Sequence, residues 1–583
     1  MKENRIIGSL LSLTVLFSAN ALAGCGRRED RKVVEIDATR TQLNIGIVDG
    51  GLSYLWLNDI ISEFEKEYAE ISFENGKKGV QVRVFPEEKY KANTTNFELN
   101  LSGYDADVIF TEGSNYYSLA SKGLLLDITD VVTTSLQNDF ITGSINTSMD
   151  DESIEEKMTD EYSDFYKIDG CYYGLPYYIS QSGIVYDVDL FEENNLYFAA
   201  EGAEHRDADG FVTDGYTQAE LSCGPDGRAG TRDDGLPATY DDFFKLCDQI
   251  AYVYGFYPII WTGKVQSYAT GLMYNLWADY EGKDNMRLNF DFEGTATDLI
   301  QSFDTNGRPV YKASTRISAE NGYEMYSQAG RYYAIDFMQR LISDSNYYNE
   351  DICFSPSTSH LKAQDEFLYS TFTYEGSAKT PVAMLIEGTW WENEANNTFN
   401  AMVDKSKDEK WSKYNRRFSF MPFPKATSEK IGEVNTTLGS ETLLFANANI
   451  KDKEYKVKLA KAFIQYCHTN QALETFALST NSIRPYKQSL SEDSLSKMTY
   501  FGRSLYEDWI TSDQVFAASK SNVYRLSPST FSVLAANGFT TQETNTPTSY
   551  FYKNKSYTAI QFFNDVVSYN DKAKWDSVFS SLY

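Results

Sequence analysis

Hydrophobic and polar residues alternate with two different periods along the first quarter of the chain. Leu43, Ile45 and Ile47 alternate with other residues and predict a strand that ends at the Asp-Gly-Gly turn of residues 49–51. Helical spacing follows, with one apolar face made of Leu57, Ile60, Ile61, Phe64 and Tyr68. Two further strands are predicted at residues 80–85 and 104–110, separated by a second helix. This order indicates βαβ units, a parallel sheet and an α/β fold.

The same alternation returns later in the chain. A second α/β region is predicted to begin near residues 171–191. Thr239 is the expected N-cap of its helix, because Asp242 stands three residues later as in a capping box. Near the end, residues 456–470 read "KVKLAKAFIQYCHTN" and predict an amphipathic helix. Ligands of parallel sheets bind at the carboxyl ends of strands, which here are residues 49–53 and 111–115.

The N-terminus combines four features in a fixed order. Two basic residues, Lys2 and Arg5, precede an apolar run that is too short to span a bilayer. Small residues and Cys25 follow, so that "LAGC" resembles the lipobox of bacterial lipoproteins, whose cysteine carries the lipid. We therefore expect a signal peptide over residues 1–24 and a lipidated cysteine with a polar tether over 25–40. An ordinary cleaved signal peptide is the alternative.

Length and charge restrict the function. The 583 residues are too many for one core, which indicates two or more domains. The net charge of −30 argues against nucleic acid, whose binding requires a basic surface. Neutral ligands and cations remain compatible with this charge.

Cysteine and histidine are too sparse for several kinds of site. Five cysteines remain after Cys25, and they show no CxxC spacing, so we expect buried thiols; a Cys223–Cys247 bridge is the one pairing considered. The three histidines lie far apart in the sequence, which excludes an HExxH metal site and argues against a Ser–His–Asp triad. A catalytic pair of carboxylates is not excluded by these counts.

Six segments resemble, in order, the carbohydrate-binding class of extracellular solute-binding proteins of bacterial ABC importers, the class related to maltose-binding protein. They are "GGLSYLWLNDIISEFEKEY", "YDADVIF", "DGCYYGLPYYISQSGIVYDVDLF", "PATYDDFFKLC", "AMLIEGTWW" and "RFSFMPFPKA". The resemblance extends from about residue 43 to residue 487. It implies a two-lobed periplasmic-binding-protein-like fold with a hinge and a ligand cleft between the lobes.

The resemblance also implies domain boundaries. Lobe 1 would comprise residues 41–175 with 425–482 returning to it. Lobe 2 would comprise residues 180–423 with 485–583 returning to it. Closure of the lobes around the ligand would be a hinge motion that an importer recognises.

A sugar needs aromatic rings for its C–H faces and carboxylates or amides for its hydroxyls. Residues that the resemblance places at the cleft supply both, although most of the 43 tyrosines and 36 phenylalanines belong to the core. The expected ligand-binding residues are Asp49, Tyr54, Glu112, Tyr177, Tyr178, Trp261, Glu387, Trp390, Trp391, Glu441 and Arg484.

Residues 205–237 form an acidic insertion in lobe 2 that departs from the family pattern. Aspartates alternate there with glycines, as in calcium loops, which need several oxygen ligands and sharp turns. The predicted ligands of a structural Ca²⁺ are Asp207, Asp209, Asp214, Asp226, Asp233 and Asp234. A solvated acidic loop without metal is the alternative.

The sequence thus favours a monomeric binding protein, without catalytic residues or catalytic cofactor, on the extracellular face of the cell membrane. It would be held there by its lipid alone, would capture a carbohydrate, preferably an oligosaccharide, and would deliver it to the permease of an ABC importer. A surface glycoside hydrolase with two carboxylates is one alternative. A binding protein for a peptide or a cationic solute is the other.

Overall fold

The computed structural model describes residues 35–92, 96–113, 116–141, 143, 145, 150–374, 379–439, 442–516 and 538–580. Eight strands form its two main sheets. In chain order they are β1 (Thr41–Ile47), β2 (Val80–Pro86), β3 (Val108–Glu112), β4 (Ser182–Asp187), β5 (Tyr257–Ile260), β6 (Val382–Gly388), β7 (Phe418–Phe420) and β8 (Thr442–Ala446). Cys25 and the predicted signal peptide lie outside the described residues.

The first sheet has the strand order β8-β3-β1-β2. The strand β1 pairs in parallel with both β2 and β3, whereas β8 is antiparallel to β3. The predicted parallel α/β arrangement is therefore confirmed for this region. The strand expected at residues 104–110 begins later, at Val108, because "YDAD" forms the approach to it.

The second sheet has the strand order β7-β4-β6-β5. Its strands β5 and β6 are parallel, so their carboxyl ends lie at the same edge, and β4 runs antiparallel to β6. All seven residues of β6 are buried because helices cover both faces of this sheet. The lobe boundaries inferred above remain a prediction, although each sheet draws its strands from one predicted lobe.

Helices make up most of the remaining structure. The α-helices are Leu57–Glu67, Phe97–Asn100, Tyr116–Ser121, Thr129–Thr133, Ile154–Lys157, Asp160–Tyr166, Val188–Glu193, Tyr240–Asp248, Ser267–Asp291, Ala329–Ser343, Glu350–Cys353, His360–Ser370, Trp391–Glu394, Asn396–Ser406, Glu454–Tyr466, Asn470–Thr480, Glu492–Lys497, Tyr500–Thr511, Pro547–Lys553, Ala559–Tyr569 and Lys572–Phe579. A π-helical segment, Gln249–Val253, extends the helix Tyr240–Asp248. None of the helices in the described part of the chain combines the length and apolar character that a bilayer crossing requires.

Smaller elements connect these helices. Short strands occur at Lys167–Ile168, Cys171–Tyr172, Gly294–Ala296, Ile300–Phe303, Pro309–Tyr311, Thr315–Ile317, Thr436–Gly439 and Asp513–Phe516. Short 3₁₀ helices occur at Glu88–Tyr90, Leu101–Gly103, Gln218–Glu220, Ala319–Ser327, Glu409–Trp411, Ser428–Lys430 and Ala448–Ile450. Cys223 and Cys247 are both free thiols, so the bridge considered between them is not formed.

The capping box predicted from the sequence is present. The Thr239 side chain accepts a hydrogen bond from the Asp242 N–H, and the Asp242 carboxylate accepts one from the Thr239 N–H. We expect Thr239→Ala to lower the free energy of unfolding by about 1 kcal/mol, because one helical N–H loses its acceptor. Thermal unfolding measures this loss. Thr239→Ser keeps the hydroxyl and is the control; an equal loss in both variants would contradict the capping explanation.

Candidate functional site

The chain passes from one sheet to the other through a crossover at residues 176–181. The backbone of Leu175 is hydrogen-bonded to Leu444 in β8, and Ser182 pairs with Gly388 at the end of β6. Thr442 starts β8 opposite Glu112, the last residue of β3. The carboxyl edges of both sheets therefore face the same crossover, which is where an interlobe cleft is expected.

Two threonines fix this crossover to the two sheets. The Thr442 hydroxyl accepts a hydrogen bond from the Tyr177 N–H at 3.1 Å, on the side of the first sheet. On the other side, the Thr389 hydroxyl donates to the Ile179 carbonyl at 2.9 Å. The crossover is thus fixed to both sheets by side-chain hydrogen bonds.

The lobes touch across the cleft at Gly51 and Trp390. Gly51 follows β1, and Trp390 follows β6, so they belong to different sheets. A Cβ added to Gly51 would lie 2.7 Å from Cδ1 of the Trp390 ring, and one added to Gly50 would lie 3.0 Å from Glu112 Oε1. Glycine is therefore required sterically at residue 51, where segments that follow the two sheets meet.

Three glutamates of the described chain surround this contact, and we call them the cleft carboxylates: Glu112, Glu387 and Glu394. Glu112 accepts a hydrogen bond from the Tyr178 hydroxyl at 2.7 Å. The amide nitrogen of Gln364 donates to Glu387 at 3.1 Å and to Glu394 at 2.8 Å. One buried amide thus holds two carboxyl groups close together.

Burial makes ionisation of the cleft carboxylates unfavourable. It raises the pKa of Glu387 well above its usual range, and the charge of Glu394 raises it further. Burial, with a contribution from Glu112, raises the pKa of Glu394 to about 7. The pKa of Glu112 is also raised by burial. The cleft therefore favours the neutral form of these carboxyl groups over the charged form.

Aromatic side chains lie against these carboxylates. Tyr268 packs edge-on against Trp390 with ring centroids 5.7 Å apart, and its other neighbour is the parallel ring of His360 at 6.0 Å. Burial, followed by the charges of Glu387 and Glu394, raises the pKa of the Tyr268 hydroxyl well above its usual range. Rings beside hydrogen-bonding groups are the combination that binds a saccharide.

The structure brings four of the sequence-predicted residues together: Glu112, Tyr178, Glu387 and Trp390. Asp49 is exposed and Tyr54 half-buried on the loop that contains Gly51, at the rim of the cleft. Tyr177 packs edge-on against Phe110 with centroids 5.3 Å apart, at the base of the crossover. Glu441 lies outside the described residues.

Two predicted stacking platforms are core residues instead. Trp391 is fully buried and has its edge contacts with Phe367, Phe399, Phe418 and Phe501. Trp261 is fully buried beside Tyr348 and Phe354. Phenylalanine and tyrosine side chains of the core surround both rings, which leaves neither of them exposed to a ligand.

Arg484 is also part of the interior. Its guanidinium is fully buried and donates to the carbonyl of Tyr177 at 3.0 Å and to that of Cys467. The guanidinium of Arg484 also contacts Nε2 of His468. Burial lowers the pKa of His468 well below the usual range, so the imidazole is neutral and its Nε2 accepts the hydrogen bond. Arg484 therefore fastens the crossover to the end of the helix Glu454–Tyr466, and a contact with ligand is not supported.

The aspartates of the acidic insertion hold backbone N–H groups. Asp207 accepts from Phe211 at 2.8 Å, Asp226 from Arg228 at 2.7 Å, and Asp234 from Gly230 at 2.7 Å. Asp233 accepts from the N–H of Asp226, Asp214 accepts from Asn195, and the backbone N–H of Asp209 donates to Asp207. Among the described residues, no group of three or more acidic, histidine or cysteine side chains is arranged to hold a metal ion. Calcium binding by the insertion stays a prediction.

Sequence reasoning missed four residues of the site: Tyr268, His360, Gln364 and Glu394. A signal existed for two of them, since His360 and Gln364 are spaced i,i+4 on the face of their helix that also carries Ala363, Phe367 and Leu368. Polar residues on a buried face need partners, and the partners of Gln364 are the carboxyl groups of Glu387 and Glu394. Tyr268 is one of 43 tyrosines and carries no such signal.

The sequence matches the bacterial extracellular solute-binding protein family over residues 60–499, about three quarters of its length. The chain therefore belongs to this family, which places it outside the cytoplasm. No curated protein matches it.

Three solved structures are similar to this chain over most of its length, and the first of them supports a shared fold. A chitin oligosaccharide binding protein is 14% identical, with 93% of this chain and 99% of that chain covered and a TM-score of 0.50. The maltose-bound MalE3 of T. maritima is 13% identical, with coverage of 91% and 99% and a TM-score of 0.49. The maltotriose-bound protein of Thermus thermophilus is 13% identical, with coverage of 91% and 100% and a TM-score of 0.46.

Proposed function

We propose that this solute-binding protein captures a carbohydrate, preferably an oligosaccharide, and delivers it to the permease of an ABC importer. The observation that carries the proposal is the cleft itself, where Trp390, Tyr268 and Tyr178 lie beside the cleft carboxylates and Gln364. The rings suit the C–H faces of a sugar, and the carboxyl and amide groups suit its hydroxyls. The fold, shared with a protein described as binding chitin oligosaccharides, is consistent with this ligand class.

The proposal includes the location of the protein at the membrane and its oligomeric state. Lipid attached to Cys25 would hold a monomer at the extracellular face of the membrane, with residues 26–40 as its tether. The protein would bind its ligand without converting it. One observation makes the hydrolase alternative worth testing, because Glu387 and Glu394 are a close pair of carboxyl groups with raised pKa values.

A thermal-shift screen tests the function. The protein without its first 25 residues is heated with each member of a panel of oligosaccharides, with and without Ca²⁺. A ligand at about 100 times its Kd adds about 2.7 kcal/mol to the stability of the folded protein, so we expect a higher Tm with one class of glycan. Chromatography of the incubated glycan should show no product. No shift with any sugar would contradict the proposal, and product formation would favour the hydrolase.

A further inference from the structure

The pair Glu387 and Glu394 has no cationic partner within the described part of the chain. Neither carboxyl group has a lysine or arginine nitrogen of the described residues within 4.0 Å. The one basic side chain at that distance is His360, whose Nε2 lies 3.9 Å from Glu394 Oε2. Burial and the charge of Lys264 lower the pKa of His360, so the imidazole is neutral and does not compensate the carboxylates.

His360 supplies a second, independent indication of a missing group. Its Nδ1 is buried and has no hydrogen-bond partner in the described structure, and the residue is only 4% exposed. We assign the proton of the neutral ring to Nε2, the nitrogen that lies 3.9 Å from Glu394, and this leaves Nδ1 as an acceptor. A buried acceptor without a donor is costly, so the site is suited to a ligand that brings N–H groups.

The rings at the site favour a cation as well. Trp390 and Tyr268 meet edge to face beside the two carboxyl groups. The face of an aromatic ring attracts an ammonium group, most strongly when water is excluded. A neutral hydroxyl group of a ligand would form hydrogen bonds with the two carboxyl groups. It would not supply a positive charge, so the carboxyl groups would either stay protonated or carry a charge that nothing compensates.

We propose that the ligand is an amino sugar with a free, protonated amino group, held between Glu387 and Glu394 and against the rings of Trp390 and Tyr268. This inference rests on the proposed function and names the class of carbohydrate. Each of the three N–H groups of the ammonium then has an acceptor. One donates to Glu387, one to Glu394 and one to Nδ1 of His360. The positive charge of the ammonium group compensates the two carboxylates, which Gln364 alone does not.

Binding then depends on pH in a defined direction. Glu387 and Glu394 must lose their protons to hold a cation, and burial raises the pKa of Glu394 to about 7. Affinity for the ammonium form therefore rises from acid to neutral pH. The other groups that face the pair are Glu112, Tyr268 and His360, with Lys264 beside His360 and with Lys91 and Glu88 beside Glu112.

Calorimetry with two matched probes tests the inference on the protein from residue 26 onward. The probes are the β-1,4-linked tetramer of glucosamine and the same tetramer with every nitrogen acetylated, which differ in charge and in the acetyl groups. At about pH 6.5, where a large share of the sugar amine is protonated, we expect the free amine to bind at least about tenfold more tightly than the acetylated tetramer. At about pH 5 the affinity of the amine should fall by about tenfold, although the free sugar amine is fully protonated there, because the carboxyl groups take up protons.

Two variants of one helix separate the site from general effects. Glu394→Gln keeps an acceptor for Gln364 and should abolish the preference for the amine. Glu392→Gln is the matched control, because Glu392 is buried with a pKa of about 7 but bonds to Thr499 rather than to Gln364. If Glu394→Gln fails to fold, the pH and acetylation comparisons on the unaltered protein decide.

The outcomes distinguish this inference from the proposed function. Equal or tighter binding of the acetylated tetramer at both pH values would overturn the inference and leave carbohydrate capture intact. Binding of neither tetramer, when another glycan of the screening panel binds, would do the same. Failure of every glycan would overturn both.

Discussion

Replacing Gly51 with leucine should reduce ligand affinity by at least about 100-fold while leaving the lobes folded. The space that the new side chain needs is occupied by Trp390, which follows a strand of the other sheet and whose Cδ1, Cγ and Cβ atoms lie 2.7–2.9 Å from the position of a Cβ. The variant therefore disfavours closure rather than folding of either sheet. Apparent affinity falls in proportion to the fraction of closed molecules, so a closed population of about 1% produces a loss of about 100-fold.

Calorimetry with the glycan found in the screen measures this loss, and small-angle X-ray scattering measures closure directly. The unaltered protein should become more compact when ligand is added, whereas Gly51→Leu should not. Gly103→Leu is the control, because a Cβ at this exposed glycine would meet no atom within 4 Å. Unchanged affinity and compaction in Gly51→Leu would show that Gly51 does not meet Trp390 in the bound state.

The elements of the first sheet could be predicted from the local spacing of apolar residues, because this spacing has the period of a strand or of a helix in each of them. Leu43, Ile45 and Ile47 alternate and lie in β1, and the predicted helix at residue 57 begins there. The capping box at Thr239 was equally local. The start of β3 was placed too early, since Tyr104 and the residues after it continue the apolar and polar alternation without pairing.

The site was only partly predictable, because its residues are defined by contacts between distant segments. Glu387 and Trp390 lie next to a recognisable strand end, whereas Gln364 joins the site through a helix that packs on β6 from elsewhere in the chain. Trp391 shows the limit of sequence proximity. Adjacent side chains point in different directions, so Trp390 reaches the cleft and Trp391 enters the core of phenylalanines.

Replacing Glu392 with glutamine should stabilise the protein at alkaline pH and leave it unchanged in acid. Glu392 is 1% exposed, and burial raises its pKa to about 7 from the ordinary 4.5. The unfolded chain releases this proton near pH 4.5, whereas the folded chain holds it until pH 7. The contribution of Glu392 to the free energy of unfolding is therefore fully present below about pH 4. It is lost as the pH rises through 7, and the total loss is up to about 3 kcal/mol.

Glutamine preserves the acceptor for the Thr499 hydroxyl, which donates to Glu392 at 2.9 Å, and removes the group that must ionise. The difference in Tm between Glu392→Gln and the unaltered protein should be near zero at about pH 4 and positive at about pH 8. Glu492→Gln, at an exposed glutamate, controls for the loss of one charge. Parallel pH profiles for Glu392→Gln and the unaltered protein would mean that the carboxyl group of Glu392 is solvated in the folded state. The argument from burial would then also weaken for Glu394, which lies two residues away on the same helix, beside Gln364.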